Sequence, residues 1–145
     1  MAEKKKEESS AEKMQEELQK KYMELQFLSQ QISEIQKQMQ NMDAQIIDLE
    51  TTNESLDEIS KTEPGADMFV PISSGVFAKA EFKDTKKLLV NVGAGTAVEK
   101  PVADVKKMIE DQVGEISKYK DQANEQLERL IEHAKMIENE LKTLI

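Results

Sequence analysis

A heptad pattern of apolar residues restricts the fold of this chain more than any other sequence feature. From Met14 onward, apolar residues recur at alternating steps of three and four for about six heptads, which is typical of a coiled coil. The seam is interrupted by Lys21 at a d position and by Asn53 at an a position. Because the pattern ends before Pro64-Gly65, the sequence predicts a first coiled-coil arm over residues 14–62.

A second seam of the same kind fills the last third of the chain. Pro101 suits the first helical position because its missing N–H is not needed there, so we expect a second arm over 101–145. In an antiparallel pair, partner residues have a constant index sum, and a sum of 162 places Leu25 against Ile137 and keeps apolar residues together. A shift of one heptad would also keep seam against seam. We therefore predict an intramolecular antiparallel hairpin of two helices. The alternative is two helices that each pair with other chains.

The segment between the arms changes from helical spacing to alternation of apolar and polar residues. Turn residues divide it into two consecutive β-hairpins over residues 68–99, with expected strands at 69–72, 76–82, 87–92 and 96–100. A unit this small cannot cover all of its apolar surface alone. The insert is therefore predicted to be an assembly surface, and its contact residues are expected to be Val70, Ile72, Val76, Phe77, Phe82, Leu88, Val90 and Val92.

Composition excludes several classes of function. The net charge of −9 disfavours nucleic-acid binding, which needs a basic face, and no apolar run is long enough to cross a membrane. The chain has no cysteine and its start lacks an apolar signal segment, which together favour a cytoplasmic protein. The charged start is predicted to be a disordered tail over residues 1–13, followed by a single domain over 14–145.

No motif in the chain indicates catalysis. Gly93-Ala94-Gly95 lacks the further residues of a phosphate loop and is better explained as a hairpin turn. His133 is the only histidine, so a transition-metal site is not expected. The carboxylates lie on solvated helix faces, with no convergent cluster. We predict a protein that is not an enzyme and that has no catalytic residues, cofactor or metal.

The insert carries a resemblance to a known family. The stretch VPISSGVFAKAEFKDTKKLLVNVGAGTAVEKP, from Val70 to Pro101, resembles the α class of prefoldin subunits. The shared features are Val-Pro before a small turn, a Lys-Asp-Thr turn, a Val-rich strand that ends in Val-Gly-x-Gly, and a Val-Glu-Lys exit. Two hairpins rather than one distinguish the α class from the β class in that family, and the arms match in pattern only.

This resemblance implies a fold and a function. The fold would be α+β, a long antiparallel two-helix coiled coil with two β-hairpins inserted at its closed end, which form β-barrels on oligomerisation. Two such subunits would pair through their hairpins and recruit four β-class subunits. The complex would hold unfolded client proteins at the coiled-coil tips without ATP and deliver them to a group II chaperonin. At the open end of the helical hairpin the candidate client-binding residues are Met14, Leu18, Leu141, Leu144 and Ile145.

Two other interpretations fit the same residues. The chain could be a structural coiled-coil scaffold whose insert merely dimerises it. It could also be a prefoldin-like paralogue that builds filaments or other oligomers through the same strands.

Overall fold

Two long helices and two small β-hairpins make up the fold. The computed structural model describes residues 2–144, with side chains from Glu3 onward. In chain order the elements are α1 (Ala2–Lys61), β1 (Asp67–Ser73), β2 (Val76–Glu81), β3 (Lys87–Gly93), β4 (Thr96–Pro101) and α2 (Val102–Leu144). β1 pairs antiparallel with β2, and β3 pairs antiparallel with β4, in two separate two-stranded sheets. The predicted α+β fold, with two hairpins between two helices, is confirmed.

The helix α1 begins earlier than the sequence pattern predicts. Residues 2–13 are helical, which corrects the expected disordered tail over the part of it that the structure describes. These residues are mostly Ala, Glu and Lys, which are good helix formers. Because the helix is already nucleated downstream, each added residue extends it at little cost. The side chains from Glu3 to Lys13 are all exposed, so this part of α1 is helical without packing against α2.

Two boundaries near the second hairpin differ from the prediction. Pro101 is the last residue of β4 and lies opposite Lys87, so α2 begins at Val102 rather than at the proline. A proline is tolerated at the end of an edge strand because no further ladder bond is required of it. The backbone N–H of Val102 donates to the carbonyl of Lys86 at 3.0 Å, which ties the start of α2 to the entrance of β3.

Each hairpin turns in two residues. Ser74 and Gly75 connect β1 to β2, while Ala94 and Gly95 connect β3 to β4. Both residues of the second loop have positive φ, 52° for Ala94 and 72° for Gly95, as expected of a turn that follows the twist of its strands. The interpretation of Gly93-Ala94-Gly95 as a hairpin turn is confirmed.

The chain divides into two compact units. The arm unit contains the described residues up to Asp43 and from Lys118 onward, and the hairpin unit is Ala44–Ser117. The core of the arm unit, called the arm cluster, joins both helices; its buried members are Leu28, Ile137 and Leu141, and Leu18, Leu25, Leu130 and Ala134 pack against them. Lys21 and Glu140, whose numbers sum to 161, form an ion pair at 2.7 Å. Within this unit the helices therefore form the predicted antiparallel pair, near the expected register.

The hairpin unit has its own core, called the junction cluster. Its buried members are Leu56, Val102, Val105 and Ile109, and Leu49, Ile59, Leu88 and Val90 pack against them. Lys106 and Asp57 form an ion pair across the two helices. The side-chain oxygen of Asn53 is buried without a hydrogen-bond partner among the described residues, because Asn53 occupies a seam position whose neighbours are apolar. The junction cluster joins both helices to the second hairpin.

Candidate functional site

The arm unit covers most of the residues that the sequence analysis proposed for client binding. Leu141 is only 5% exposed and belongs to the arm cluster, and Leu18 packs against the same cluster. Leu144 is half-buried, whereas Met14 is exposed. Ile145 lies outside the described residues. Leu141 is therefore buried and Leu18 partly buried between the two helices. Of the described residues in this set, only Met14 is exposed.

Apolar side chains that the heptad analysis left out are exposed on the outer side of α1. Met23 is 68% exposed, Phe27 is 59% exposed, and Tyr22 is also largely exposed. Because Met23 and Phe27 are four residues apart on a helix, their side chains are neighbours. We call Tyr22, Met23 and Phe27 the flank patch. Sequence reasoning missed it because these residues lie off the a and d positions, although three large apolar residues in six positions were a usable signal.

The segment after the start of the flank patch carries few charges. Residues 22–31, YMELQFLSQQ, contain one charged residue, Glu24, and three glutamines, while Lys20 and Lys21 lie on the preceding turn. The carboxylate of Glu24 lies 3.4 Å from Nε2 of His133, an exposed contact between the two helices. On α2 of the same unit, Met136 is likewise exposed. The arm unit thus offers adaptable apolar groups on both helices.

The first hairpin presents the largest apolar surface in the hairpin unit. Phe69 is 68% exposed, and Val70, Ile72, Val76 and Phe77 are exposed as well. In the described part of the chain, the junction cluster contains no residue of β1 or β2. Four of the predicted assembly residues are therefore free to meet another chain, and Phe69 adds a fifth that the sequence analysis did not select.

The second hairpin uses one of its faces within the chain. Leu88 and Val90 pack against the junction cluster, so these two predicted assembly residues already have partners in the same chain. Leu89, between them in sequence, points to the other face and is 71% exposed. Val92 is exposed, and Phe82, after the first hairpin, is half-buried. The exposed apolar residues of the second hairpin are thus Leu89, Val92 and Val98, whereas Leu88 and Val90 are partly covered.

Residues 82–86 form the linker between the two hairpins, and local hydrogen bonds hold it. The carboxylate of Asp84 accepts hydrogen bonds from the backbone N–H groups of Lys86 at 2.8 Å and Lys87 at 3.3 Å. These bonds, with that of Lys86 the largest cause, lower the pKa of Asp84 from its ordinary value of 3.8. Thr85 is almost fully buried beside it. The linker is ordered by local bonds and needs no partner chain.

The described part of the chain shows neither a membrane span nor a metal cluster. No helix within residues 2–144 is both long and apolar enough to cross a bilayer. Likewise, no three His, Asp or Glu side chains of the same residues converge where a metal ion could be held.

The chain is similar to known proteins over most of its length. The family model for Prefoldin, described as "Prefoldin subunit", matches residues 28–145. The "Prefoldin subunit alpha" of Methanococcus vannielii is 28% identical over 129 residues, which cover 89% of this chain and 86% of that protein. The "Prefoldin subunit alpha" of Methanococcus aeolicus is 32% identical over 102 residues, which cover 68% of this chain and 69% of that protein.

A solved structure shares the fold. A chain of the cryo-EM structure of filamentous PFD from Methanocaldococcus jannaschii superposes with a TM-score of 0.72 at 19% identity, covering 79% of this chain and 95% of that chain. At this identity the likeness concerns the arrangement of helices and hairpins. The family match, the α-subunit relatives and the two-hairpin fold agree with one another, and this chain belongs to the prefoldin family.

Proposed function

We propose that the chain is the α-class subunit of an ATP-independent co-chaperone that holds unfolded proteins. The observation that carries the proposal is the flank patch on an otherwise closed helical pair. The arm cluster occupies the seam, yet Met23 and Phe27 remain largely exposed beside it. Exposed apolar groups of this kind mark binding surfaces on soluble proteins, and an unfolded chain supplies matching apolar side chains.

The chemistry of the flank patch suits a client of variable sequence. Methionine is flexible and polarizable, and aromatic rings accept aliphatic or aromatic neighbours, so neither demands one partner shape. Residues 22–31 carry one charge, so the contacts that this segment offers a client are mainly apolar. One arm offers few side chains, so each contact is weak and strength comes from several arms that bind one client together.

The hairpins supply the means of bringing arms together. We infer that two copies of this chain pair through their hairpins and bind four β-class subunits, with the strands forming β-barrels, and that the complex passes its client to a group II chaperonin. The family membership and the exposed strands support this assembly. A structural scaffold would need the same strands but no client surface, which is why the flank patch favours the co-chaperone.

The client surface is tested by replacing its two neighbouring side chains. The double variant Met23→Gln with Phe27→Gln should keep the helical circular dichroism and the oligomer, because both side chains are exposed and glutamine favours helix. Protection of a chemically denatured client that is diluted into the complex, followed by light scattering, should fall on the order of tenfold.

A matched control lies on the same helix. Ile47 is 63% exposed on α1 but belongs to the hairpin unit, so Ile47→Gln should leave protection unchanged. Equal protection by the double variant and the unaltered complex would contradict the assignment of the client surface. An unaltered complex that gives no protection would favour the scaffold.

Assembly and delivery are tested with the partners present. The full chain is co-expressed with a candidate β-class subunit, and the mass of the complex should correspond to two copies of this chain and four of the partner. A filament from which no complex of that mass is released on dilution would instead favour the oligomer-forming paralogue. Refolding of a bound client should then rise when a group II chaperonin and ATP are added, whereas unchanged yield would contradict delivery.

A further inference from the structure

The two faces of the first hairpin differ in the side chains that they carry. Directly opposed residues of an antiparallel pair lie on the same face. The register places Asp67 opposite Glu81, Phe69 opposite Lys79, and Pro71 opposite Phe77. We call these six residues the aromatic face. The other face carries no charge, because there Met68 lies opposite Ala80 and Val70 lies opposite Ala78.

Only the uncharged face fits the interior of the proposed β-barrel. An ionised side chain inside a barrel loses its hydration, and this is costly unless the charge is paired. The aromatic face has three such groups, Asp67, Lys79 and Glu81, whereas the opposite face offers small and branched apolar side chains. The proposed assembly, on which this inference rests, therefore leaves the aromatic face pointing outward.

The outward face is nevertheless strongly apolar at one end. Phe69 and Phe77 are both mostly exposed and together line a shallow hollow with no other residue around it. The second hairpin has no equivalent, since its free face carries the isolated Leu89 between Lys87 and Glu99. Two accessible phenyl rings on one small face indicate a contact surface beyond the barrel.

The order of charged residues along β2 indicates that the partner of this surface is a second copy of the same chain. Alternate residues of β2 read Phe77, Lys79 and Glu81. When the same series runs in the opposite direction from a second copy, Lys79 of each copy meets Glu81 of the other. These two ion pairs are complementary by symmetry. The acidic pair Asp67 and Glu81, which repel each other within one chain, gains a neighbouring cation in the same arrangement.

We propose that the aromatic face of the first hairpin is a second, self-complementary interface that joins one assembled complex to another through two copies of this chain. Within one complex the uncharged faces form the barrel, and between complexes the aromatic faces stack. The contact is small and partly ionic, so it should weaken as salt increases.

Charge exchange across the interface provides the test. The full chain, co-assembled with a candidate β-class subunit, is followed by mass photometry and sedimentation from nanomolar to micromolar concentration. The unaltered complex should show species at twice the mass of the single complex or more. Lys79→Glu places like charges opposite each other and should raise the dissociation constant of the larger species by about tenfold or more. Adding Glu81→Lys to Lys79→Glu restores the opposite order of charge and should return the constant to within about threefold.

The controls separate this interface from the barrel. The exchange of Lys87→Glu with Glu99→Lys on the second hairpin should leave the larger species unchanged. Because Phe69 and Phe77 lie on the face that points away from the barrel, they are assigned to the second interface and not to the barrel. Phe69→Ser with Phe77→Ser should therefore remove the larger species while the single complex persists. If the single complex forms but never associates further, or if the double charge exchange fails to restore association, the second interface is wrong and the barrel assembly stands. If no single complex forms at all, the proposed function itself fails.

Discussion

Each of the two hairpins is an antiparallel pair of strands closed by a two-residue loop, yet the two hairpins pack differently. Leu88 and Val90 of the second hairpin pack against the junction cluster and so stabilise their own chain. The first hairpin contributes no described residue to that cluster and leaves apolar side chains exposed on both faces. An isolated two-stranded hairpin is marginally stable in water. The first hairpin is therefore the element whose stability depends most on partner chains.

This difference teaches how one insert can both hold a fold together and join subunits. The second hairpin fixes the position of the strands relative to the helices within the hairpin unit, through Val90 on its inner face and through the bond from Val102 to Lys86. The first hairpin, held at its root by the bonds of Phe82 with Gly65 and Ala66, remains available. Four predictions follow the comparison, from the largest expected effect to the smallest.

The same substitution at two adjacent residues of β3 should change the free energy of unfolding by very different amounts. Val90→Asp places a charge against the junction cluster and should lower the free energy of unfolding of the single chain by about 3 kcal/mol. Leu89→Asp, on the exposed face but opposite Glu99, should lower it by less than about 1 kcal/mol. Thermal unfolding of dilute protein, followed by circular dichroism, measures both. Equal losses would mean that the second hairpin has no inner face.

Hydrogen exchange should distinguish the hairpins in the unassembled chain. Amides of β3 and β4 open only when the junction cluster opens, whereas those of β1 and β2 open locally. We expect protection of the second hairpin to exceed that of the first by about tenfold to a hundredfold in dilute chain. The difference should shrink on assembly with a β-class subunit. Uniform protection before assembly would remove the basis of the comparison.

Relief of strain in the second turn should be visible in global stability. Ala94 has a φ of 52°, which a glycine adopts without steric cost, so Ala94→Gly should raise the free energy of unfolding by about 0.5–1 kcal/mol. The matched change in the first turn is Gly75→Ala, at a φ of 79°. It should weaken the first hairpin without moving the main thermal transition. A shift of that transition would show that the first hairpin unfolds together with the helices.

The smallest effect should come from the linker carboxylate. The pKa of Asp84 is lowered in the folded chain, so its contribution is present above the unfolded pKa and is lost as the pH falls through the folded value. Asp84→Asn keeps an acceptor oxygen but removes the charge. The difference in thermal midpoint between the two proteins should be present near neutral pH, should shrink as the pH falls below about 4, and should vanish once the pH is below the folded pKa of Asp84. A difference that persists in acid would assign the effect to something other than ionisation.

The sequence predicted the periodic features of this fold and missed those that depend on which face is covered. The heptads identified both arms and their register to within a shift of one heptad, because seam residues repeat regularly and have apolar partners. The heptad pattern did not draw attention to Met23 and Phe27, because both lie off the seam. Their exposure is known only when the partner helix is placed. Alternation in β3 showed that Val90 and Leu89 lie on opposite faces but not which face meets the helices. The helical start was missed because its composition suits both a charged tail and an extended helix.

The bonds that close the helical pair also have a consequence for the order of folding. The ion pair of Lys106 with Asp57 spans 49 residues, whereas that of Lys21 with Glu140 spans 119. If the longer loop closed first, its closure would cost about 0.8 kcal/mol more in chain entropy. The hairpins between the helices form on the order of microseconds and shorten the shorter loop further. Helix pairing is therefore expected to start in the hairpin unit and to reach the arm unit last, so on a nascent chain the flank patch is displayed before its seam closes.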